Sequence, residues 1–371
     1  MNATPDILII GGGIAGLSAA AAVAVHARVT VLEAEAAIGV HASGRSATML
    51  HYALGDAVIR ALTLASRGFF EAPPDAFGEV ARTMPLLVHA RADELAALDA
   101  LQAAIAPFAT LDRLDAAGVA ALCPLLRVGD DAAVAGLADH NALRLDPHAL
   151  LQGFVRQLKA RGGHLLTDTR IARIERRGTV WEVESERGEH FSAPILVNAA
   201  GAWADPVARL AGVTPLGCAP LRRTIITFDA PAGTDLTRLP FAKTVGDELY
   251  FAPESGRLFA SPMDEVPDEP GDAQPDEYEV ALAAHRVEQR TTFRVERIHY
   301  RWAGLRTFAP DRHPIVGFAS DSPGFFWLAG QGGSGLQTSP AIAAAAQSLI
   351  AGTAWPDIGV AAAALSPERF A

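Results

Sequence analysis

Asp6-Ile-Leu-Ile-Ile-Gly-Gly-Gly-Ile-Ala-Gly-Leu-Ser-Ala-Ala-Ala-Ala-Val-Ala-Val25, followed by Val29-Thr-Val-Leu-Glu33, is the stretch on which the fold turns. The apolar run Asp6–Ile10 predicts a short buried strand, Gly11–Gly16 a tight turn, Leu17–Val25 an Ala-rich helix, and Val29–Glu33 a second strand ending in an acid. Gly11 permits the sharp turn, Gly13 lets the backbone approach a pyrophosphate, and Gly16 lets the helix pack closely on the strand. Ile14, Ala15 and Gly16 then present unpaired N–H groups and the positive end of the helix dipole to an anion. Glu33 follows at about the 20-residue spacing at which an acid accepts from ribose hydroxyls. Strand, turn, helix and acid together predict a dinucleotide site rather than a plain strand-turn-helix.

Ile7 to Val25 carries no charge and is about as long as a membrane span. Its glycines, the absence of Lys or Arg before it and the acid at Asp6 favour a buried core segment instead, with no membrane span expected. The chain has 371 residues, half of them hydrophobic, and a formal net charge of -11. Such a balance disfavours a nucleic-acid partner but permits a small anionic substrate held by a few arginines. Cys123 and Cys218 form no disulfide framework or metal-ligand pattern. A reducing, cytoplasmic setting and no metal are expected.

Outward from the opening unit, Ser43, Gly44, Arg45 and Ser46 supply hydroxyls, backbone N–H groups and a cation suited to a second grip on the pyrophosphate. Helical spacing runs from Asp56 to Phe70, a strand from Glu79 to Val88, and helices from Asp93 to Ile105 and Asp115 to Leu122, each opened by a capping Asp. Asp146-Pro147 starts another helix that ends at Gly162-Gly163. Strand signals follow from Ile171, a further expected cofactor contact, then at Val180–Glu184 and Ile195–Asn198. The last runs into Ala200, Gly201 and Trp203, a small-residue return to the nucleotide domain. Leu221–Phe228 is a strand whose Arg222 and Arg223 must face opposite sides. Leu249–Ala252 and Leu258–Ser261 add antiparallel strand, Pro262–Pro275 an acidic, Pro-rich loop and Asp276–Thr291 an amphipathic helix. Near the end, Gly330-Gln-Gly-Gly-Ser-Gly-Leu-Gln337 repeats the opening logic: Gly332, Gly333, Gly335, Leu336 and Gln337 form a turn and helix start aimed at an electron-rich group such as a flavin ring.

Together these motifs resemble the FAD-dependent D-amino acid oxidase and glycine oxidase (DAO) superfamily, and the resemblance spans essentially the whole chain. His41-x-x-Gly-Arg-Ser-Ala47, Leu221-Arg-Arg223, Trp302-Ala-Gly-Leu-Arg306 and Gly324-Phe-Phe-Trp327 look most like the bacterial D-arginine dehydrogenases. The resemblance implies an α/β, Rossmann-like FAD-binding domain from residues 1–75, 140–215 and 303–371. It also implies an α+β substrate domain with a mostly antiparallel sheet from 76–139 and 216–302. Arg223, Tyr250 and Arg306 fall on the groups that anchor a substrate carboxylate, and Met49, His51, Leu54 and Gly333 on the rest of the pocket. Met49 and Leu54 stand where the D-arginine dehydrogenases have His and Tyr, and Thr83–Val88 lacks their guanidinium-pairing Glu. A cation without a counter-charge is costly to bury, so a small or apolar side chain is expected in the substrate, with His51, Tyr52 and Glu79 as partial replacements. The implied reaction is flavin-dependent oxidation of a D-amino acid to its imino acid and then 2-oxo acid, with non-covalent FAD. A glycine-, sarcosine- or 2-hydroxy-acid-type oxidoreductase and a non-catalytic flavin-binding module are the alternatives; the electron acceptor is left open.

Overall fold

The computed structural model describes residues 4–370. Its first sheet has six strands in the order Ile315–Phe318, Phe325–Ala329, Ile195–Asn198, Ile7–Ile10, Val29–Leu32 and His164–Leu166. All neighbours run parallel except the first pair. Both faces of this sheet are covered, which is why Ile7–Ile10 is apolar without alternation. Ile7 and Ile9 enter a core with Leu17, Leu150, Phe154 and Ala345 from three helices. Leu8 and Ile10 enter another with Trp181 and Val183 of a three-stranded antiparallel meander. The helices are Ile14–Val23, Pro147–Ala160 and Gly335–Ala351, with Ala57–Glu71 packed against the last.

The second sheet has nine strands, ordered Val266–Pro267, Ala219–Phe228, Arg257–Ser261, Tyr250–Glu254, Phe241–Thr244, Leu86–Ala90, Ala135–Asp139 and Asp112–Asp115, with Ile298–Phe308 paired to Ala219–Phe228. It is antiparallel except where Leu86–Ala90 meets Phe241–Thr244. Helix Glu277–Arg290 covers one face through Val280, Ala283 and Val287. The other face packs Tyr250, Phe259 and Val88 against Met49, Tyr52 and Ala53, which belong to the chain leaving the nucleotide unit. A small sheet of Met49–Leu50, Leu143–Leu145 and Ala81–Thr83 stitches the two halves together.

Several expected bounds shift. The first helix begins at Ile14, because the turn closes immediately after Gly13. Glu79–Val88 divides into Ala81–Thr83 and Leu86–Ala90, serving different sheets on either side of Pro85. Asp115 caps its helix by accepting from Gly118 N–H, but Asp93 caps nothing: Glu94 closes back on Arg91 N–H instead. Val266–Pro267 adds a short edge strand to the acidic loop. The expected boundary at 302/303 falls inside the strand Ile298–Phe308, so Arg306 stands on the second sheet.

Candidate active site

The opening unit forms one wall of an open groove. Gly11 has φ +113°, and a Cβ there would lie 2.4 Å from the Ala199 carbonyl oxygen. A Cβ on Gly16 would lie 2.0 Å from the Gly11 carbonyl oxygen, so helix and strand meet backbone to backbone. Glu33 accepts from Gly12 N–H at 2.6 Å and from Glu35 N–H at 2.8 Å. Ser43 accepts from Ile14 N–H at 2.9 Å, bringing the second small-residue loop onto the helix N-terminus. Gly13, Glu33, Ser43, Ile171, Ala200, Gly201 and Trp203 all line the groove.

Arg45 lines it too, in a different role from a pyrophosphate grip. Its guanidinium donates to the carbonyls of Ala273 (3.3 Å) and Ala303 (3.1 Å) and to Asp272 at 2.5 Å. Gly271 and Ala273 close the groove from the far side. The acidic loop therefore reaches across from the second sheet, and Ala273 packs there with Ala202, Ala303 and Leu305. Gly44 and Ser46 face a separate cavity.

The C-terminal turn lies outside the groove but beside the same helix start: a Cβ on Gly335 would meet Ile14 Cγ2 at 3.5 Å. Gly332 donates to the carbonyl of Thr307, the residue after Arg306. Gly333 is exposed, and the first intrahelical N–H bond comes only from Thr338, leaving those of Gly335, Leu336 and Gln337 at the helix end. Leu336 joins the core. The Gln337 side chain is committed elsewhere, donating to Thr63 Oγ1 at 2.8 Å and to the His51 carbonyl while accepting from His51 N–H.

On the second sheet, Trp302, Gly304 and Arg306 alternate onto one face, opposite Ile225, Arg223 and Leu221. Arg306 is buried and donates only to the carbonyls of Gly304 (3.2 Å) and Arg45 (3.4 Å). Among the described residues no carboxylate lies within 4.0 Å of it. Burial pulls its pKa down to about 10, aided by the charge of Arg223 and opposed by Tyr250 and by the carboxylates of Asp264 and Glu265, so it remains a cation at neutral pH. Tyr250 is buried with its hydroxyl unpartnered, its ring stacked 5.1 Å from Phe241 and edge-on to Phe259 at 6.0 Å. Arg223 differs: it donates to the Asp264 carbonyl at 2.6 Å and pairs with Glu265 at 3.2 Å. It tethers the base of the acidic loop.

Met49 packs with Tyr250 and Phe259. His51 is buried beside Phe241, and desolvation, with the charge of Lys243, pushes its pKa down to about 3, so it is neutral. Leu54 is half-buried and lines neither cavity. Tyr52 is buried in the core between the halves, whereas Glu79 lines the second cavity. Sequence reasoning missed Lys243, whose buried ammonium pairs with Asp247 and donates to the Ala53 carbonyl. It also missed Thr48, held at φ 57° with its hydroxyl buried and unpartnered. Arg144 was hidden as the one charged residue of Leu143–Leu145. No cluster suited to a metal ion occurs among the described residues, and none of their helices is long and apolar enough to cross a membrane.

The glycine cradle, the acid at Glu33 and the two adjoining helix N-termini fit an adenine dinucleotide carrying a flavin. The bovine "FAD-dependent oxidoreductase domain-containing protein 1" is 27% identical over 240 residues, covering 55% of this chain and 49% of that protein. The chain spans about half the length of the curated relatives it matches. The L-alpha-glycerophosphate oxidase of Mycoplasma pneumoniae, solved with FAD bound, superposes with a TM-score of 0.85 at 19% identity, covering 94% of this chain and 95% of that one. The L-proline dehydrogenase of P.horikoshii gives 0.85 at 20% identity, covering 100% and 98%. The DAO family model, described as FAD dependent oxidoreductase, matches residues 6–349, and the chain belongs to that family.

Proposed function

We propose that this protein oxidises an amino acid at its Cα–N bond, giving an imino acid that water hydrolyses to a 2-oxo acid and ammonium. The observation that carries the reading is Arg306, a buried guanidinium with no carboxylate within 4.0 Å among the described residues, in electrostatic reach of Tyr250, whose buried hydroxyl has no partner. A planar fork with a neighbouring neutral donor suits a substrate carboxylate, and leaving it empty of an anion is costly. FAD, held non-covalently by the groove, supplies the hydride acceptor. The protein's own part is to bind and orient: Arg306 fixes the carboxylate, Tyr250 donates to it, and Met49, Phe241 and Phe259 keep the neighbourhood dry. Arg223 serves as a positioning residue through the acidic loop. Neutral His51 leaves the cationic anchor uncontested.

The D configuration follows from the resemblance to the D-arginine dehydrogenases, and the two buried free cysteines suit a reducing, cytoplasmic setting. The test is anaerobic bleaching of the flavin by D- and L-amino acids, N-methyl amino acids and 2-hydroxy acids. Reduction by D-amino acids supports the reading. Reduction only by 2-hydroxy acids, or by none of the panel, overturns it.

A further inference from the structure

Beyond the Arg306–Tyr250 anchor lies a second cavity, of about 1360 Å³, between the Gly44–Thr48 loop and the second sheet. It continues the anchoring face: Trp302 lines it two positions beyond Gly304 on the Arg306 strand, and Glu254 stands four residues along from Tyr250. Phe259 is shared, lining the cavity while its ring meets that of Tyr250. The walls nearest Tyr250 are therefore apolar, and those further out are charged.

Two arginines line that outer part. Arg82 and Arg144 are register partners on adjacent antiparallel strands, so two cations stand directly opposite each other. Like charges in that arrangement repel unless something neutralises them. Arg144 is nearly buried, donates to the Ala47 carbonyl at 2.7 Å, pairs with Glu254 and lies 5.1 Å over the Phe259 ring. Arg82 has no carboxylate within 4.0 Å among the described residues, though Glu79, Asp146 and Glu254 share the lining with the two arginines. The other acids are spent or peripheral. Glu254 is held by Arg144 and Ser255, Asp146 caps a helix through Ala149 N–H, and Glu79 is exposed at the rim. Thr48 also lines the cavity, on a backbone in the left-handed region that a β-branched residue rarely adopts.

We propose that this cavity is an anion-binding compartment for the distal group of the substrate, so that the amino acid oxidised is a dicarboxylic one. Arg82 and Arg144 receive the second carboxylate. The compartment rests on the Arg306 anchor argued above and names the substrate class for that site. It revises the expectation of an apolar or small side chain, which held only for the walls around Tyr250.

Calorimetric titration of the FAD-loaded enzyme with three unreactive carboxylates tests this: glutarate, its monoamide and 5-aminopentanoate. The three share one end for Arg306 and differ in the charge of the other. Glutarate should bind about tenfold tighter than the monoamide, the scale of a charge-assisted hydrogen bond. In Arg82→Gln, whose side chain is exposed and outside the core, that ratio should fall at least about fivefold, and Arg82→Lys should restore part of it. Equal binding of glutarate and the monoamide, or tightest binding of 5-aminopentanoate, overturns the compartment while leaving the anchor standing. Binding of none of the three overturns the anchor, and the compartment with it.

Discussion

The two halves of the molecule build their binding surfaces from different parts of the chain. Around the groove the framework is mostly backbone: the close approach of Gly16 to the Gly11 carbonyl, a helix start held by Ser43 on Ile14 N–H, and one carboxylate from the next strand on Gly12 N–H. On the second sheet the proposed anchors are side chains, Tyr250 and Arg306, contributed by strands that are not neighbours in the sheet. A surface made of backbone tolerates no added atom, whereas one made of side chains tolerates truncation in its fold but not in its chemistry. The contrast predicts opposite phenotypes for substitutions in the two halves.

The largest effect belongs to Gly16→Val. Its Cβ would lie 2.0 Å from a carbonyl oxygen that cannot move without breaking the Ile7–Ile10 strand end. Flavin content of the purified protein should fall below about a tenth of wild type, with a loss of several kcal/mol in stability, on the order of 4. Retention of a full flavin complement would show that the close approach is dispensable. Arg306→Ala is the counterpart. Flavin content and thermal midpoint should hold, since a buried cation without a carboxylate partner is removed. The kcat/KM for the amino acid that bleaches the flavin should drop by about 2–5 kcal/mol, roughly 30- to 4000-fold. Tyr250→Phe should lie well below this, near tenfold in KM, because it removes one neutral donor.

The same contrast explains what was legible in the chain. The groove draws on short windows, so Gly11, Gly13 and Glu33, which line it, could be read from spacing alone, as could the helix cap at Asp146, whereas the Ser43 hydroxyl, expected on a pyrophosphate, accepts from Ile14 N–H. Residues whose role depends on distant partners were not. Arg45 has the composition of a phosphate ligand, yet its guanidinium goes to Asp272, Ala273 and Ala303, which nothing near position 45 announces. Gln337 sits in the right turn but spends its amide on Thr63 and His51. Arg223 looked equivalent to Arg306 until Glu265 was found beside it. Thr48 and Lys243 gave no signal, because backbone strain and burial of one Lys have no local signature.

Acid should separate the halves as well. His51, packed on Phe241, and His89, on the strand Leu86–Ala90, are both held near pKa 3 by desolvation, reinforced by Lys243 and Arg290 respectively. Unfolded histidine titrates near 6.5. Above that value neither state takes up these protons. Below it the unfolded chain binds them and the folded chain does not, so their contribution is full above pH 6.5 and is lost as pH falls toward 3. Each histidine should cost about 1.4 kcal/mol between pH 7.5 and 5.5, above the range where carboxylates titrate. Hydrogen-exchange protection, taken relative to the intrinsic rate at each pH, should fall over that interval more in Leu86–Ala90 than in Ile7–Ile10. An equal loss of protection in both strands would mean the halves open as one unit and would remove this part of the contrast.

The smallest effect falls where the halves cross. Asp272 and Ala273, on the acidic loop of the second sheet, grip Arg45 from the first, and Gly271 and Ala273 form the far wall of the groove. The carboxylate is more than half exposed, so the ion pair is screened by solvent, while the carbonyl bonds and the packing of Ala273 on Ala202 and Leu305 are not. Asp272→Asn keeps the shape and removes only the charge. It should therefore leave flavin content and thermal midpoint unchanged and raise the FAD dissociation rate by about two- to fivefold, read as recovery of flavin fluorescence on dilution. Raising ionic strength should speed release from the wild type by a similar factor and from Asp272→Asn by less. Identical release from the two proteins at low salt would mean that the loop lines the groove without holding it shut, and that the two halves bind their ligands independently.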